Sequence, residues 1–182
     1  MTLSSPASAV GPGWRPWLIW AVGVSAYVLA VTNRTSLSAV GVDAADRFQA
    51  DAATLSMFAV VQLAMYGGMQ IPVGVLLDRY GARPIMTIGM ILMAVGQLMM
   101  AFSPSVGVAI LARVVLGAGD AAIFPGVLRL VAVWFPAQRS PMMVQFTGIV
   151  GQTGQLLALA PLAALLHATS WTIAFGSVAG LG

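Results

Sequence analysis

The sequence predicts an all-α, membrane-spanning protein, and three observations predict it. Hydrophobic residues make up 59% of the 182-residue chain and charged residues only 7%, against roughly 25% charged in an ordinary soluble domain. Long runs carry no charge at all: Leu55 to Leu76 is one, Ile85 to Phe102 another. Each is long enough to cross a bilayer, because about 20 helical residues span about 30 Å. Between them the charges bunch into one short segment, Asp78-Arg79-Tyr80-Gly81-Ala82-Arg83, as expected where the chain turns at a membrane face.

The same inventory excludes other classes. There is no cysteine, so no disulfide frame, thiolate zinc site or cysteine nucleophile exists. A lone His167 cannot build a multi-histidine metal site, and no cofactor is implied. The net charge of +3 is small and dispersed, which argues against a nucleic-acid partner. An intramembrane enzyme is disfavoured without cysteine, a histidine pair or a nucleophile elbow.

In chain order, residues 1–16 are polar and rich in Pro and Gly and read as a disordered tail. The run from Trp17 is followed by further spans, so it reads as an uncleaved first helix rather than a signal peptide. That helix covers about 17–40 and contains Arg34. An acidic loop, Asp43 to Asp51, follows. The second helix covers 55–76, the third 85–102, the fourth 106–134 with Arg113, Asp120 and Arg129, and the fifth 142–167. A sixth begins near Trp171 and covers 171–182, about 18 Å at the helical rise, too short to span. Five complete spans and a truncated sixth are expected.

Arginine bias sets the orientation. With the N-terminus cytoplasmic, Arg15, Arg79, Arg83, Arg129 and Arg139 lie inside and only Arg47 lies outside. The Asp78–Arg83 and Phe135–Pro141 segments then face the cytoplasm of a multi-pass protein in the cell's inner membrane.

Ionisable groups within a bilayer are costly and need a partner or a watery cavity. Arg34, Arg113 and Asp120 stand out. Arg113 and Asp120 are seven residues apart, so they share a helix face about 10 Å apart along the axis, with Gly117 between them. Arg34 lies at a depth like that of Arg113. Two guanidiniums at matched depth make a clamp for a carboxylate or similar anion, and a buried aspartate suits proton uptake and release. Against this stand two plainer readings: Asp120 neutralises one arginine, and Arg34 snorkels to the outer interface. Gln62, Tyr66 and Gln70 recur every four residues in the second helix; Gln145, Gly148, Gln152 and Gln155 share a face in the fifth. Tyr66, Gln70 and Gln152 join the arginines as candidate solute contacts, or bond helix to helix. The third helix, with only Gln97 as a notable polar residue, looks lipid-facing. Gly148, Gly151 and Gly154 in the fifth helix, and Ala64 with Gly68 in the second, suit close packing. Pro72, Pro125 and Pro161 predict kinks.

The segment holding Gly74, Leu76, Asp78, Arg79, Gly81 and Arg83 resembles the loop signature of the major facilitator superfamily, which joins its second and third helices. Arg113, Gly117 and Gly119 match that superfamily's fourth-helix pattern. The resemblance covers nearly the whole chain. It implies the N-terminal six-helix half of a major facilitator fold, and solute transport by alternating access, with two halves rocking about a midplane site. It also makes the Asp78 segment a cytoplasmic gate that meets a helix start in the missing C-terminal half. Asn33-Arg34-Thr35-Ser36, Asp120, Phe124 and Pro125 are similar to the anion:cation symporter branch, in which the arginines bind the anion and the acid couples protons. Two departures are plain: Asn33 stands where that branch often has an aspartate, and Asp120 replaces the usual glutamate. Nitrate carriers, which hold an arginine in the second helix, and drug–proton antiporters, which carry glycines around the fifth-helix proline, fit less well, because this second helix has no arginine and Pro161 has no flanking glycines. The implied partners are the bilayer, a small anionic solute and protons. The alternative is a non-transporting membrane fragment or assembly partner.

Overall fold

A computed structural model describes residues 13–181, and all regular structure in them is helical. Most of the expected disordered tail lies outside the described residues. Helix α1 (Arg15–Ala39) starts two residues before the expected position, with proline in its first turn, where a missing N–H costs nothing.

The acidic segment is not a loop. It forms α2 (Gly41–Phe48), with Asp43 in the first turn and Arg47 in the last, each matched to the local end of the helix dipole. Its buried Ala44 packs with Leu37, Phe58 and Trp171. The helix ends at Gln49 in a left-handed conformation, φ 48°.

The second span, α3 (Ala52–Tyr80), is longer than expected at both ends. Asp51 caps it by accepting from the Thr54 amide at 2.9 Å, a bond that also holds the Asp51 carboxyl below its ordinary range. At the other end Asp78 and Arg79 belong to the last helical turn rather than to a loop. The turn itself is a single residue, Gly81, at φ 83°, where a side chain would be strained. Helix α4 (Ala82–Ala101) starts directly after it.

The fourth span is broken at its middle. Helix α5 (Val106–Asp120) ends at Asp120 and α6 (Ile123–Trp134) begins three residues later. The Ala122 amide reaches back to Gly119 rather than to Ala118, and Pro125 has no N–H to offer the Ala121 carbonyl, so the ladder cannot close across this point. The fifth span comprises α7 (Ser140–Leu157), a π-helical turn over Ala158–Leu162 containing Pro161, and α8 (Ala163–Ala168). Such a widened turn is a common way to absorb a proline. Helix α9 (Trp171–Leu181) closes the described chain. Five spans are thus long and apolar enough to cross a membrane.

Glycine sets the tightest crossings. A Cβ on Gly89 of α4 would stand 2.7 Å from the Gly119 carbonyl oxygen, and one on Gly119 2.5 Å from that of Gly89. On α7, Gly151 receives the Tyr27 ring and Gly154 the Val28 carbonyl of α1. Gly148 and Gly68 meet nothing within 4 Å, so the packing expected at those two does not occur within this bundle. The third span is also not simply lipid-facing. Ile88, Ile91 and Leu98 are exposed, but the opposite side is packed on α5 and buries Gln97 completely. The least buried spans are the second and fifth.

Two large apolar clusters form most of the core, with a small third of Val131, Phe135 and Met143 at one end. One holds Val24, Tyr27, Val73, Met86, Met93 and Ile123; the other holds Leu37, Phe58, Met100, Ala109, Trp171 and Phe175. Along α1, α3, α4 and α5 the buried polar residues Asn33, Gln62, Gln97 and Arg113 each fall between members of the two. The bundle therefore carries a polar layer across its middle.

Candidate functional site

Arg34 and Asp120 meet in that layer. Arg34 Nε donates to Asp120 Oδ2 at 2.7 Å and Nη2 donates to Oδ1 at 2.9 Å. This is a two-pronged match of guanidinium and carboxylate, the strong form of the interaction. Asp120 is fully buried and Arg34 about a quarter exposed. The break after Asp120 adds to the pairing: α5 ends there, and a helix C-terminus favours a cation. The Tyr66 ring lies against the Arg34 guanidinium, 4.6 Å from carbon to ring centre, holding its plane. Arg34 turns inward, so it does not snorkel to the outer interface.

Arg113 does not pair with Asp120. It is 1% exposed. Its Nη1 donates to Gln62 Oε1 at 3.2 Å and, at the 3.5 Å limit, to the Asn33 carbonyl. Its Nε and Nη2 have no partner. Gly117 permits this: a Cβ there would stand 2.5 Å from the Gln62 carbonyl oxygen, so α3 and α5 touch backbone to backbone one turn from Arg113. Asn33 spends its own side-chain amide on the Leu29 carbonyl. Ser36 and Gln97 bond to each other across α1 and α4.

Arg34 and Arg113 line one cavity of about 280 Å³, together with Ser38, Ser56, Phe58 and Gln62. Its residues come from α1, α2, α3 and α5. The structure thus brings both predicted arginines to one space, with the Tyr66 ring against Arg34. Gln70 is half-buried, and its Nε2 is without a partner. Gln152 is exposed and accepts from Gln155 on its own helix; it does not line the cavity.

At the arginine-bearing end, Arg129 Nη1 donates to Asp78 Oδ1. Arg129 stands on α6 and Asp78 on α3, so this pair ties the fourth span to the motif. In the sequence Arg129 is one charge among the cytoplasmic arginines, and its place at the same membrane face as Asp78 is the signal for the pair. Arg79 lies over the Tyr80 ring at 5.3 Å. Arg83 is exposed, and Gly74 has open space where a side chain would stand. In the sequence Gln62 is one member of a polar stripe, and nothing in that spacing points to its bond with Arg113.

The Major Facilitator Superfamily sequence model matches residues 23–182. An uncharacterized transporter of Bacillus subtilis, YybO, is 27% identical over 172 residues, which is 90% of this chain and 38% of the relative. The D-galactonate transporter of Escherichia coli is 28% identical over 181 residues, 97% of this chain and 41% of that protein. The probable galactarate/D-glucarate transporter GudP of Escherichia coli is 28% identical over 193 aligned positions, 100% of this chain and 42% of the relative. The chain therefore spans less than half the length of these relatives, and it matches their N-terminal portion. This chain belongs to the Major Facilitator Superfamily.

Proposed function

We infer that this chain forms the N-terminal half of a secondary transporter that moves a small anionic organic solute by alternating access, coupled to protons. The observation that carries the reading is the unequal state of the two arginines on one cavity. Arg34 is neutralised by Asp120, and Arg113 has no carboxylate partner. An anion entering the cavity meets Arg113 first. Protonation of Asp120 removes the charge that holds Arg34 and frees its guanidinium to join Arg113 on the solute. Proton and monoanion then load together as a neutral pair, so loading leaves the net charge of the site unchanged. Tyr66 and Gln70 flank this site; Gln152 contributes from the face of the fifth span that the second half covers. The names of the galactonate and galactarate/D-glucarate relatives support a sugar-acid-like solute. Arginine bias supports an inner-membrane protein with its N-terminus in the cytoplasm. The Asp78, Arg79, Gly81 and Arg83 segment then serves as the inner gate.

The experiment is uptake of D-galactonate and D-glucarate into proteoliposomes holding this chain with whatever follows Gly182 in its gene. An inward proton gradient should drive accumulation. Asp120→Asn should abolish accumulation and retain exchange of solute across the membrane. Accumulation at the wild-type rate by Asp120→Asn would remove Asp120 from the coupling role.

A further inference from the structure

Arg113 is the largest fully buried side chain among the described residues, and its charge faces no carboxylate. The two ion pairs there join Arg34 to Asp120 and Arg129 to Asp78. A buried cation without a counter-charge is costly, so whatever holds Arg113 in place must do so without cancelling it. Of its two acceptors, the Asn33 carbonyl stands at 3.5 Å and Gln62 Oε1 at 3.2 Å, which makes Gln62 the principal hold.

The position of Gln62 is fixed by backbone contact. Gly117 lets α5 press on the Gln62 carbonyl, as a Cβ there would come within 2.5 Å of it. Its chemistry is fixed too. A guanidinium only donates, so the amide must turn Oε1 toward Arg113 and leave Nε2 as a donor. Gln62 Nε2, Arg113 Nε and Arg113 Nη2 are all buried without a partner, beside a cavity that both residues line. A set of unspent donors on a cationic wall suits an anion with two or more oxygens.

We propose that Gln62 is a positioning residue of the anion site: it orients Arg113 while leaving it charged, and it adds one amide donor to the anion. The proposal rests on the reading of Arg113 as the anion's anchor. It explains why the two arginines on the cavity have different partners. A carboxylate neutralises Arg34 and can be switched by a proton. An amide holds Arg113, does not titrate, and keeps that arginine ready in every state of the cycle.

The test compares Gln62→Glu, Gln62→Leu and the double variant Gln62→Glu/Arg113→Gln with wild type, all in the complete gene product in lipid nanodiscs. Thermal unfolding and the affinity for D-galactonate and D-glucarate are measured from pH 5 to 8. Gln62→Glu should raise Tm near neutral pH, because the new carboxylate neutralises a buried cation. It should weaken anion affinity tenfold or more, and in proteoliposomes the KM for uptake should rise far more than kcat falls. Lowering the pH should bring its affinity back toward wild type, because a protonated carboxyl again pairs one acceptor with one donor. Gln62→Leu should lower Tm and weaken affinity at every pH. The double variant should lose the Tm gain. A Gln62→Glu protein no more stable than wild type, or a gain that survives in the double variant, overturns the hold on Arg113. A stabilised Gln62→Glu that binds the anion as tightly as wild type overturns the role of Gln62, and with it the assignment of Arg113. A loss of affinity in Gln62→Glu that is the same at every pH leaves Arg113 as anchor and overturns the charge-sparing role of Gln62.

Discussion

Arg34 of α1 grips Asp120 of α5 with two hydrogen bonds, at 2.7 and 2.9 Å, at the point where the fourth span is interrupted. The pair links the two spans that supply most of the cavity's charge. Because Asp120 is fully buried, either partner left alone is a charge without compensation. Arg34→Gln or Asp120→Asn alone should therefore cost about 1–3 kcal/mol in unfolding, the lower side of buried-pair values because Arg34 is partly exposed. The double variant should recover most of that loss. Unfolding followed by tryptophan fluorescence checks it, and additive losses would mean that the two side chains do not act as a pair.

The glycines divide into two groups, and substitution should separate them. Gly119→Ala and Gly117→Ala drive a Cβ to 2.5 Å from a facing backbone oxygen and should each lower stability by about 1–3 kcal/mol. Gly68→Ala and Gly148→Ala meet nothing within 4 Å and should leave the stability of this half unchanged or slightly raised. Equal effects across the four would contradict the crossings described here.

Asp78 and Arg129 form a pair at an exposed site. Such pairs contribute about 0–1 kcal/mol, so Asp78→Asn should leave Tm nearly unchanged. In the complete gene product it should still slow transport severalfold if the segment gates the inner face as proposed, because the pair ties that segment to the fourth span. The exchange Asp78→Arg/Arg129→Asp should restore part of the rate. Normal transport by Asp78→Asn would reduce the segment to a helix end and a tight turn.

The topology is directly checkable because the chain has no cysteine. Ala137 and Ala52 are exposed at opposite ends of the bundle. In whole cells, a membrane-impermeant thiol reagent should label Ala52→Cys and spare Ala137→Cys. The reverse pattern would invert the orientation, and labelling of both would break the five-span arrangement.

The spans were legible because lipid imposes length and apolarity on each helix separately. Their joints were less so. The run from Asp43 to Phe48 looks like a loop by charge, yet its acid and its arginine sit at the correct ends of a short helix, and Ala44 gives that helix a buried face. Asp78 and Arg79 look like a turn, yet only Gly81 has a conformation that requires one. Gly148, Gly151 and Gly154 share a spacing, but each three-residue step rotates about 300°, so the three cannot face one neighbour; α1 takes the last two. The candidate site shows the same limit. Helical spacing placed Arg113, Gly117 and Asp120 on one face correctly. It carries no information on which arginine of another helix reaches Asp120, nor that Gly117 brings Gln62 rather than a carboxylate to Arg113. Those are facts of helix crossing, and a single-helix period cannot contain them.

In the proposed cycle, protonation of Asp120 in its pair with Arg34 is the central step, and proton uptake on anion binding measures it most directly. The complete gene product, purified in weakly buffered nanodiscs near neutral pH, is mixed with D-galactonate or D-glucarate while the pH of the medium is followed. The prediction is that the protein takes up close to one proton for each anion bound, that Asp120→Asn binds the anion with none, and that Arg113→Lys loses the binding itself because an ammonium cannot reproduce the fork. Anion binding by wild type without proton uptake, or undiminished uptake in Asp120→Asn, would contradict it.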